Sequence, residues 1–326
     1  MTTTPAADPS RLAAVASGFM AAKQLFAASE LGLFAAIGTG SATTAQIAAT
    51  TGAPERSVRI LADAMVGLEL LSYAEGQYTN TEATAAYLAG GEGLDLRPWL
   101  GFWDGLSYPH WLSYTESMRT AEPAPFDMGG ERMEVFMGGV QTYNSLHALM
   151  LAENYDFTQH ENLLDLAGLS TAFLDEAHKR NPKLRGAFVS TDMMLQMAKG
   201  GAPAGFGDFV EFHEADPLTT AVPGHYDSVL LEHVLHRFTP EENKTILTRA
   251  REAVDVGAAL LVLDFLLDAS DGRRLDAVLA GEYLVIDGTV VYPEDEVKGW
   301  LEATGWRWVE TRPLPGSPRV IIAEAV

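Results

Sequence analysis

The stretch LLDLAGLSTAF, residues 163–173, decides the fold. Leu163, Leu164 and Leu166, an apolar run around Asp165, are typical of the end of a buried parallel strand, and residues 173–179 are typical of the helix that follows such a strand. A strand, a turn and a helix in this order form the frame of a loop that holds a nucleotide-type cofactor. Such turns are usually rich in glycine, but this one contains only Gly168. The frame of a cofactor loop is therefore present, whereas its usual glycines are missing.

Apolar strands alternate with helices from this stretch to the end of the chain. The pattern predicts strands at 163–167, 186–190, 208–213, 226–232, 258–266, 306–312 and 318–325. This alternation is typical of a doubly wound α/β domain.

The N-terminal part has a different pattern. Apolar side chains at helical spacing predict an amphipathic helix pair over 11–37. Residues 43–81 then predict a short helix, a turn, a second helix and two short strands around Glu75, which is a winged helix-turn-helix. The second helix carries Arg56 and Arg59 beside several acids, too few cations for docking on phosphates.

The composition excludes several classes of function. The chain has 326 residues, no cysteine and a formal charge of −22, so thiolate metal sites, cysteine nucleophiles and disulfides are excluded. The negative charge argues against nucleic acid and anionic membranes as partners. The N-terminus resembles no signal peptide and no apolar run has the length of a membrane span, so we expect a cytoplasmic protein.

Residues 98–150 are rich in aromatic side chains and methionine. Most of these residues suit a helical core, and several also suit an apolar pocket for a bulky planar ligand. The predicted pocket residues are Trp103, Met118, Phe136, Tyr143, His147, Met150 and, further along the chain, His233. We predict three regions, a helical and winged-helix region over 1–97, a helical linker and pocket region over 98–155, and the α/β domain over 156–326.

Four longer segments together resemble one known family. They are YDFTQHENLLDLAG, NPKLRGAFVS, EADPLTTAVPGHYDSVLLEHVLHRFTPEEN and WLEATGWRWVE. The chain is similar along nearly its whole length to the plant-type and bacterial O-methyltransferases that use S-adenosylmethionine (SAM). The resemblance implies a mainly helical, winged-helix dimerisation domain ahead of a Rossmann-like class I methyltransferase domain. It also implies a homodimer and a small-molecule substrate.

The cofactor positions depart from the pattern of that family. The resemblance places the family's motif Asp-x-Gly-Gly-Gly-x-Gly on residues 165–171, where Asp165 and Gly168 remain but the alternate glycines are replaced by Ala167, Leu169 and Thr171. Thr171 is β-branched in a turn that favours unrestricted φ.

Three more cofactor positions follow from the same resemblance. The acid that binds the ribose hydroxyls corresponds to Ser190, and Asp192 is a possible substitute. The adenine-side acid corresponds to Asp216, which could equally initiate a turn before Pro217. Phe238 replaces a tryptophan.

The catalytic positions match the family better. The resemblance implies that His236 is the general base, that Asp264 orients it, and that Arg237 stands where the family has an aspartate. Arg237 could stabilise developing negative charge. A second acid of the family is replaced by Val291. Glu232 and His233 near His236 raise the idea of a metal site, but their spacing matches no strong metal motif and we predict none.

These departures lead to a specific expectation about function. The preferred interpretation is a SAM-independent tailoring enzyme of secondary metabolism, with no cofactor, that acts on a bulky aromatic or polyketide-like molecule by acid–base-assisted rearrangement, cyclisation, elimination or decarboxylation. The first alternative is a SAM-dependent O-methyltransferase with a divergent loop. The second is a non-catalytic ligand-binding or scaffold protein.

Overall fold

The computed structural model of the chain describes residues 7–125, 129–268 and 274–326. The chain divides into two compact units. The first contains Met1–Pro109 and Met128–Thr142, and the second contains His110–Asp127 and Tyr143–Val326. The three-region division at 97 and 155 stays a prediction.

The first unit begins with three short helices where the sequence pattern predicts a pair. They are α1 (Ser10–Ala16), α2 (Gly18–Glu30) and α3 (Leu33–Ile37). The break before α3 falls at Gly32, which has a φ of 71° and so ends the right-handed helix.

The predicted winged helix is confirmed. It consists of β1 (Ser41–Ala42), α4 (Thr44–Thr51), α5 (Glu55–Gly67), β2 (Leu71–Ala74) and β3 (Gln77–Asn80). The three strands form an antiparallel sheet in the order β1-β3-β2. Helix α4 begins where the Thr43 hydroxyl accepts the amide of Gln46 and the Gln46 side chain accepts the amide of Thr43.

Further helices connect this motif to the α/β domain. They are α6 (Glu82–Tyr87), α7 (Arg97–Phe102), a π-helical turn (Trp103–Ser107), α8 (Tyr108–Trp111), α9 (Tyr114–Thr120) and the long α10 (Glu131–Asn154). Aromatic side chains of α7, the π-helical turn and α10 pack together here, with the ring centroids of Phe102 and Phe136 6.2 Å apart.

The second unit contains the predicted alternation of strands and helices. Its elements are β4 (Asn162–Leu166), α11 (Ala172–Arg180), β5 (Arg185–Ser190), α12 (Asp192–Gly201), β6 (Val210–Glu214), β7 (Tyr226–Glu232), α13 (Pro240–Glu252), β8 (Val254–Asp264), α14 (Arg274–Ile286), α15 (Glu294–Ala303), β9 (Trp306–Pro313) and β10 (Arg319–Ala325). Short 3₁₀ turns lie at Phe157–Gln159, Phe206–Asp208 and Leu235–Arg237.

The strands form one sheet of seven in the order β6-β5-β4-β7-β8-β10-β9. The first five are parallel, and β10 pairs antiparallel with both β8 and β9. The predicted doubly wound α/β fold is confirmed.

The core lies on the faces of this sheet. A row of apolar residues in register crosses the central strands, namely Ala187, Leu164, Val229, Leu260 and Ala323. All five are buried in one hydrophobic cluster. Burial on both faces explains why these strands have continuous apolar runs instead of an alternation.

Among the described residues, no single helix is long and apolar enough to cross a membrane. The bent pair of α1 and α2 passes a test of length and composition alone. The cytoplasmic location stays a prediction.

Candidate active site

The predicted cofactor and catalytic residues of the second unit lie at one edge of the large sheet. The strand order reverses between β4 and β7, and open α/β sheets bind ligands outside the carboxyl ends of the strands at such a point. Residues 167–171, here called the cofactor loop, follow β4, and Ser190 ends β5. Residues 233–238 follow β7, and Asp264 ends β8. We call this place the switch-point edge.

The cofactor loop takes its shape with one residue in the left-handed region. Ala167 has a φ of 61°, and its amide donates to the carbonyl of Val189 at 2.8 Å. Thr171 has a φ of −67°, an ordinary value that requires no glycine. Gly168 is needed for space, because a Cβ atom there would lie 2.6 Å from Glu232 Oε1 and still closer to Asp165 Oδ1.

Glu232 holds the cofactor loop from the end of β7. Its Oε1 atom accepts hydrogen bonds from the backbone amide of Leu169 and, at 2.9 Å, from the backbone amide of Ser170. Glu232 and Asp165 are both completely buried. Within the described ranges, Glu232 Oε2 and both carboxylate oxygens of Asp165 lack a well-formed hydrogen bond.

This burial changes the acidity of both carboxyl groups. Burial raises the pKa of Asp165 well above its ordinary value, and the charge of Glu232 raises that pKa further. Burial also raises the pKa of Glu232 to about 8, against the opposing effects of the loop amides and of Arg237. The two acids and Arg237 therefore form a buried ionisable cluster beside the cofactor loop, in which burial favours the neutral acids and the charge of Arg237 favours their ionised forms.

The other predicted cofactor residues have identifiable local contacts. Ser190 is buried at the end of β5. Asp216 accepts the amide of Leu218 at 2.9 Å and the hydroxyl of Thr219 at 3.1 Å, so it does initiate the turn considered as its alternative role. Asp192 is exposed at the start of α12. Phe238 packs against the core cluster.

His236 and Asp264 form the predicted pair. His236 Nδ1 lies 3.1 Å from each carboxylate oxygen of Asp264, so the aspartate is long enough to reach the ring. Burial alone would raise the pKa of Asp264, but the charge and hydrogen bonds of His236 outweigh it and lower this pKa. Asp264 is therefore an ionised acceptor for the Nδ1 proton of His236.

Aromatic and histidine side chains surround this pair. The Tyr283 ring stacks on His236 with a centroid distance of 4.6 Å and an interplanar angle of 12°. The Tyr283 hydroxyl lies 3.3 Å from that of Tyr143. His147 Nδ1 lies 3.0 Å from His233 Nε2, and burial lowers the pKa of His233 to about 3, so His233 is neutral at pH 7.

The predicted pocket residues divide between the two units. The structure brings Tyr143, His147 and His233 together beside His236. Met150 is buried on α10, whereas the Met118 side chain is 58% exposed. Trp103 and Phe136 belong to the first unit. A single pocket formed by all seven residues stays a prediction.

Sequence reasoning did not assign a role to two residues of this site. The sequence pattern indicates Glu232 only as a possible metal ligand, although a charged residue at the end of the apolar strand β7 marks the edge where ligands bind. Tyr283 lies on α14 in no recognisable motif, and no pattern in the sequence indicates its stacking on His236.

His233, His236 and Asp264 are spaced as metal ligands could be. One ligand atom from each lies within 4.8 Å of the others. The Nδ1 atom of His236 already faces Asp264. The prediction of no metal at this site stays a prediction.

Known proteins resemble this chain along nearly its whole length. Residues 126–307 match an O-methyltransferase domain, and residues 13–90 match an O-methyltransferase dimerisation domain. The 3-hydroxy-5-methyl-1-naphthoate 3-O-methyltransferase of Streptomyces sahachiroi is 30% identical over 93% of this chain and 91% of its own. The tetracenomycin polyketide synthesis 8-O-methyl transferase TcmO of Streptomyces glaucescens is 26% identical over 96% of each chain.

A solved structure has the same fold over both units. It is the apo form of the S-adenosylmethionine-dependent methyltransferase SibL, which is 27% identical and has a TM-score of 0.86 over 98% of this chain and 99% of its own.

These comparisons overturn two expectations. The predictions of SAM-independent chemistry and of no cofactor are wrong, because the matching domain is an O-methyltransferase domain and SibL is SAM-dependent. The physical reason lies in the cofactor loop. The prediction treats the three missing glycines as obstacles, but of Ala167, Leu169 and Thr171 only Ala167 has a positive φ, which it adopts as alanine. Leu169 and Thr171 have φ values that require no glycine.

Proposed function

Because the chain belongs to the family of SAM-dependent O-methyltransferases, we propose that it transfers the methyl group of SAM to a hydroxyl group of a small aromatic molecule. The observation that carries this proposal is the pair of His236 and Asp264 at the switch-point edge, with His236 Nδ1 3.1 Å from both carboxylate oxygens. The names of relatives that act on a hydroxynaphthoate and on a polyketide support an aromatic acceptor.

The residues at the switch-point edge fit the charge of SAM. The methionine end of SAM carries an ammonium group, a sulfonium sulfur and one carboxylate, and is positive overall. Within the described ranges, Glu232 Oε2 and the carboxylate oxygens of Asp165 are buried without a well-formed hydrogen bond, and a positive group stabilises such oxygens. We infer that these two acids hold the methionine end of SAM, and that Ser190 and Asp216 lie along its nucleoside end. The amides of Leu169 and Ser170 already donate hydrogen bonds to Glu232, so at this place the cofactor meets the carboxyl groups of Asp165 and Glu232 instead of free loop amides.

The chain itself supplies the proton chemistry. When bound, SAM supplies an electrophilic methyl group, so the acceptor oxygen must lose its proton. His236 Nδ1 donates to Asp264, which leaves the lone pair on Nε2 available as a general base. Nε2 takes the proton of the acceptor hydroxyl, and the ionised Asp264 stabilises the imidazolium that forms.

Tyr283 and Tyr143 fix the base in place. The Tyr283 ring stacks on the imidazole, and its hydroxyl bonds that of Tyr143, so the ring of His236 is held by stacking as well as by Asp264. Burial holds the pKa of Tyr283 well above its ordinary value, so this hydroxyl stays protonated.

We also propose that the protein is a homodimer through its first unit. The dimerisation-domain match covers residues 13–90. Helices α1 and α2 expose the apolar side chains of Leu12, Val15, Phe19 and Met20. Several exposed apolar side chains on two consecutive helices are typical of a subunit interface.

A product assay tests the proposed reaction. The wild-type protein is incubated with SAM and a panel of hydroxylated naphthoic acids, and methylated products are detected by mass spectrometry. We expect an O-methylated product, and we expect His236→Gln to lower kcat by about 10² to 10⁴. The matched control is His225→Gln, since His225 is an exposed histidine paired with Asp255 at 2.9 Å. Wild-type kcat in His236→Gln would show that His236 is not the base.

A further inference from the structure

Two non-glycine residues with positive φ lie at the ends of adjacent strands. Among the described residues, the non-glycine positions with positive φ are Glu69, Glu75, Ala121, Ala167 and His233. Ala167 follows β4 with a φ of 61°, and His233 follows the neighbouring β7 with a φ of 53°. A side chain makes this conformation unfavourable, so the surrounding structure has to enforce it.

One guanidinium group contacts the carbonyls of both residues. Arg237 Nη2 donates to the carbonyl of Ala167, and Arg237 Nε donates to the carbonyl of His233 at 2.7 Å. The planar fork of arginine suits two such bonds at once, whereas the ammonium of lysine is a point charge.

The same guanidinium also supplies the positive charge among the buried acids. Asp165 and Glu232 are completely buried, and Glu232 accepts the amides of Leu169 and Ser170. The charge of Arg237 opposes the effect of burial and favours the ionised form of both acids, and an ionised Glu232 is the stronger acceptor for the loop amides. Arg237 thus contacts the loop backbone at Ala167 and acts on the rest of the loop through Glu232.

We propose that Arg237 is a positioning residue that clamps the cofactor loop to the end of β7, by bridging the carbonyls of Ala167 and His233 and by placing a positive charge beside Asp165 and Glu232. The chain departs from the family pattern at both ends of this clamp, with alanine in place of a loop glycine and arginine in place of the aspartate after the histidine. The clamp links the two departures, because the arginine stabilises a backbone conformation that glycine would adopt without help. The expected effect of the clamp on cofactor affinity rests on the proposed function, whereas its expected effect on the order of the cofactor loop does not.

Four variants test the clamp. Arg237→Met removes both the bridge and the charge, and Arg237→Lys keeps the charge but not the fork. Ala167→Gly, made alone and combined with Arg237→Met, removes the need for the clamp at that position. The matched control is Arg251→Met, because Arg251 also donates to backbone carbonyls, those of Val254, Gly305 and Val326, and none of these belongs to the switch-point edge.

The first measurement is hydrogen–deuterium exchange at the amides of Leu169 and Ser170. We expect these amides to exchange faster by about tenfold or more in Arg237→Met, and by a smaller factor in Arg237→Lys. Adding Ala167→Gly to Arg237→Met should restore part of the protection. Arg251→Met should lower Tm without changing exchange in the loop.

The second measurement is the affinity for S-adenosylhomocysteine by calorimetry. We expect Kd to rise by about tenfold or more in Arg237→Met and to recover in part in the double variant. If the wild-type protein binds no S-adenosylhomocysteine, the proposed function fails and the exchange measurement still decides about the clamp.

If the amides of Leu169 and Ser170 exchange in Arg237→Met at the wild-type rate, the clamp is overturned. It is also overturned if adding Ala167→Gly to Arg237→Met does not slow the exchange of these amides. If Arg237→Met does not fold, Arg237→Lys provides the test. Exchange of the loop amides at the wild-type rate in folded Arg237→Lys would equally overturn the bridge.

Discussion

Replacing Asp264 with asparagine perturbs the catalytic pair without changing the size of the side chain. The two carboxylate oxygens of Asp264 face three donors. His236 Nδ1 lies 3.1 Å from each oxygen, the amide of Phe265 lies 2.9 Å from Oδ1, and the amide of His236 lies 3.3 Å from Oδ2. Asparagine offers one acceptor oxygen and one NH₂ group, so at least one of these three donors must face the NH₂ group, which is itself a donor.

The cost follows from this mismatch. Leaving one buried donor unsatisfied destabilises the fold by about 1–3 kcal/mol. If the NH₂ group faces His236, the imidazole accepts at Nδ1 and carries its proton on Nε2, where it can no longer act as a base. We therefore expect kcat to fall by roughly 10² to 10³, within the usual range for loss of general-base catalysis.

The assay compares Tm and the steady-state kcat of methyl transfer for Asp264→Asn with those of a matched control. The control is Asp227→Asn, because Asp227 accepts the backbone amides of Glu161 and Asn162 near the amino end of β7, away from the switch-point edge. We expect the control to lower Tm and to keep kcat. Wild-type kcat in Asp264→Asn would refute the assignment of Asp264 as the residue that orients His236.

Three other variants test separate parts of the account. The pKa of Glu232 is raised from 4.5 to about 8 in the folded protein, so the free energy of unfolding should fall as pH rises from 4.5 to about 8. Chemical denaturation across this pH range should show a shallower fall in Glu232→Gln. The exposed control Glu252→Gln should show the same fall as the wild-type protein. Light scattering should show a dimer of about twice 35.2 kDa for the wild-type protein and a monomer for Phe19→Glu. Val256→Glu, at an exposed apolar position of the second unit, should stay dimeric. Equal masses for both variants would contradict the proposed interface. Tyr283→Leu should lower kcat roughly tenfold and leave the Kd of SAM unchanged, because the ring stacks on the base; an unchanged kcat would rule out this positioning role.

The sequence predicts the fold well because the sheet is buried on both faces. Central strands such as β4 and β7 then become continuous apolar runs, and their predicted bounds agree with the structure to within a residue. Strand β8 begins earlier than predicted, at Val254 instead of 258, because residues 255–257 are exposed and include Asp255 and Gly257, which interrupt the apolar run. An apolar run cannot show where such a strand enters the sheet.

The candidate site is only partly visible in the sequence. His236 and Asp264 each follow or end an apolar strand, and the resemblance to a family pairs them, so their contact could be predicted. Glu232 binds amides 62 and 63 residues away in the chain, and no local pattern shows such a contact.

The cofactor loop was misjudged for a related reason. Missing glycines indicate conformational strain only where φ is positive, and the sequence does not show which loop residue takes that value. In the structure it is Ala167, and Arg237, distant in the chain, bonds its carbonyl.

Binding of SAM itself tests the central claim most directly. Calorimetric titration of the wild-type protein with SAM should show saturable binding of one molecule per chain, with a Kd in about the micromolar range. Asp165→Asn should weaken this binding, because it removes a buried carboxylate from the place proposed for the methionine end of SAM. A wild-type protein that shows neither heat of binding nor a shift in Tm at about 1 mM SAM would contradict the account.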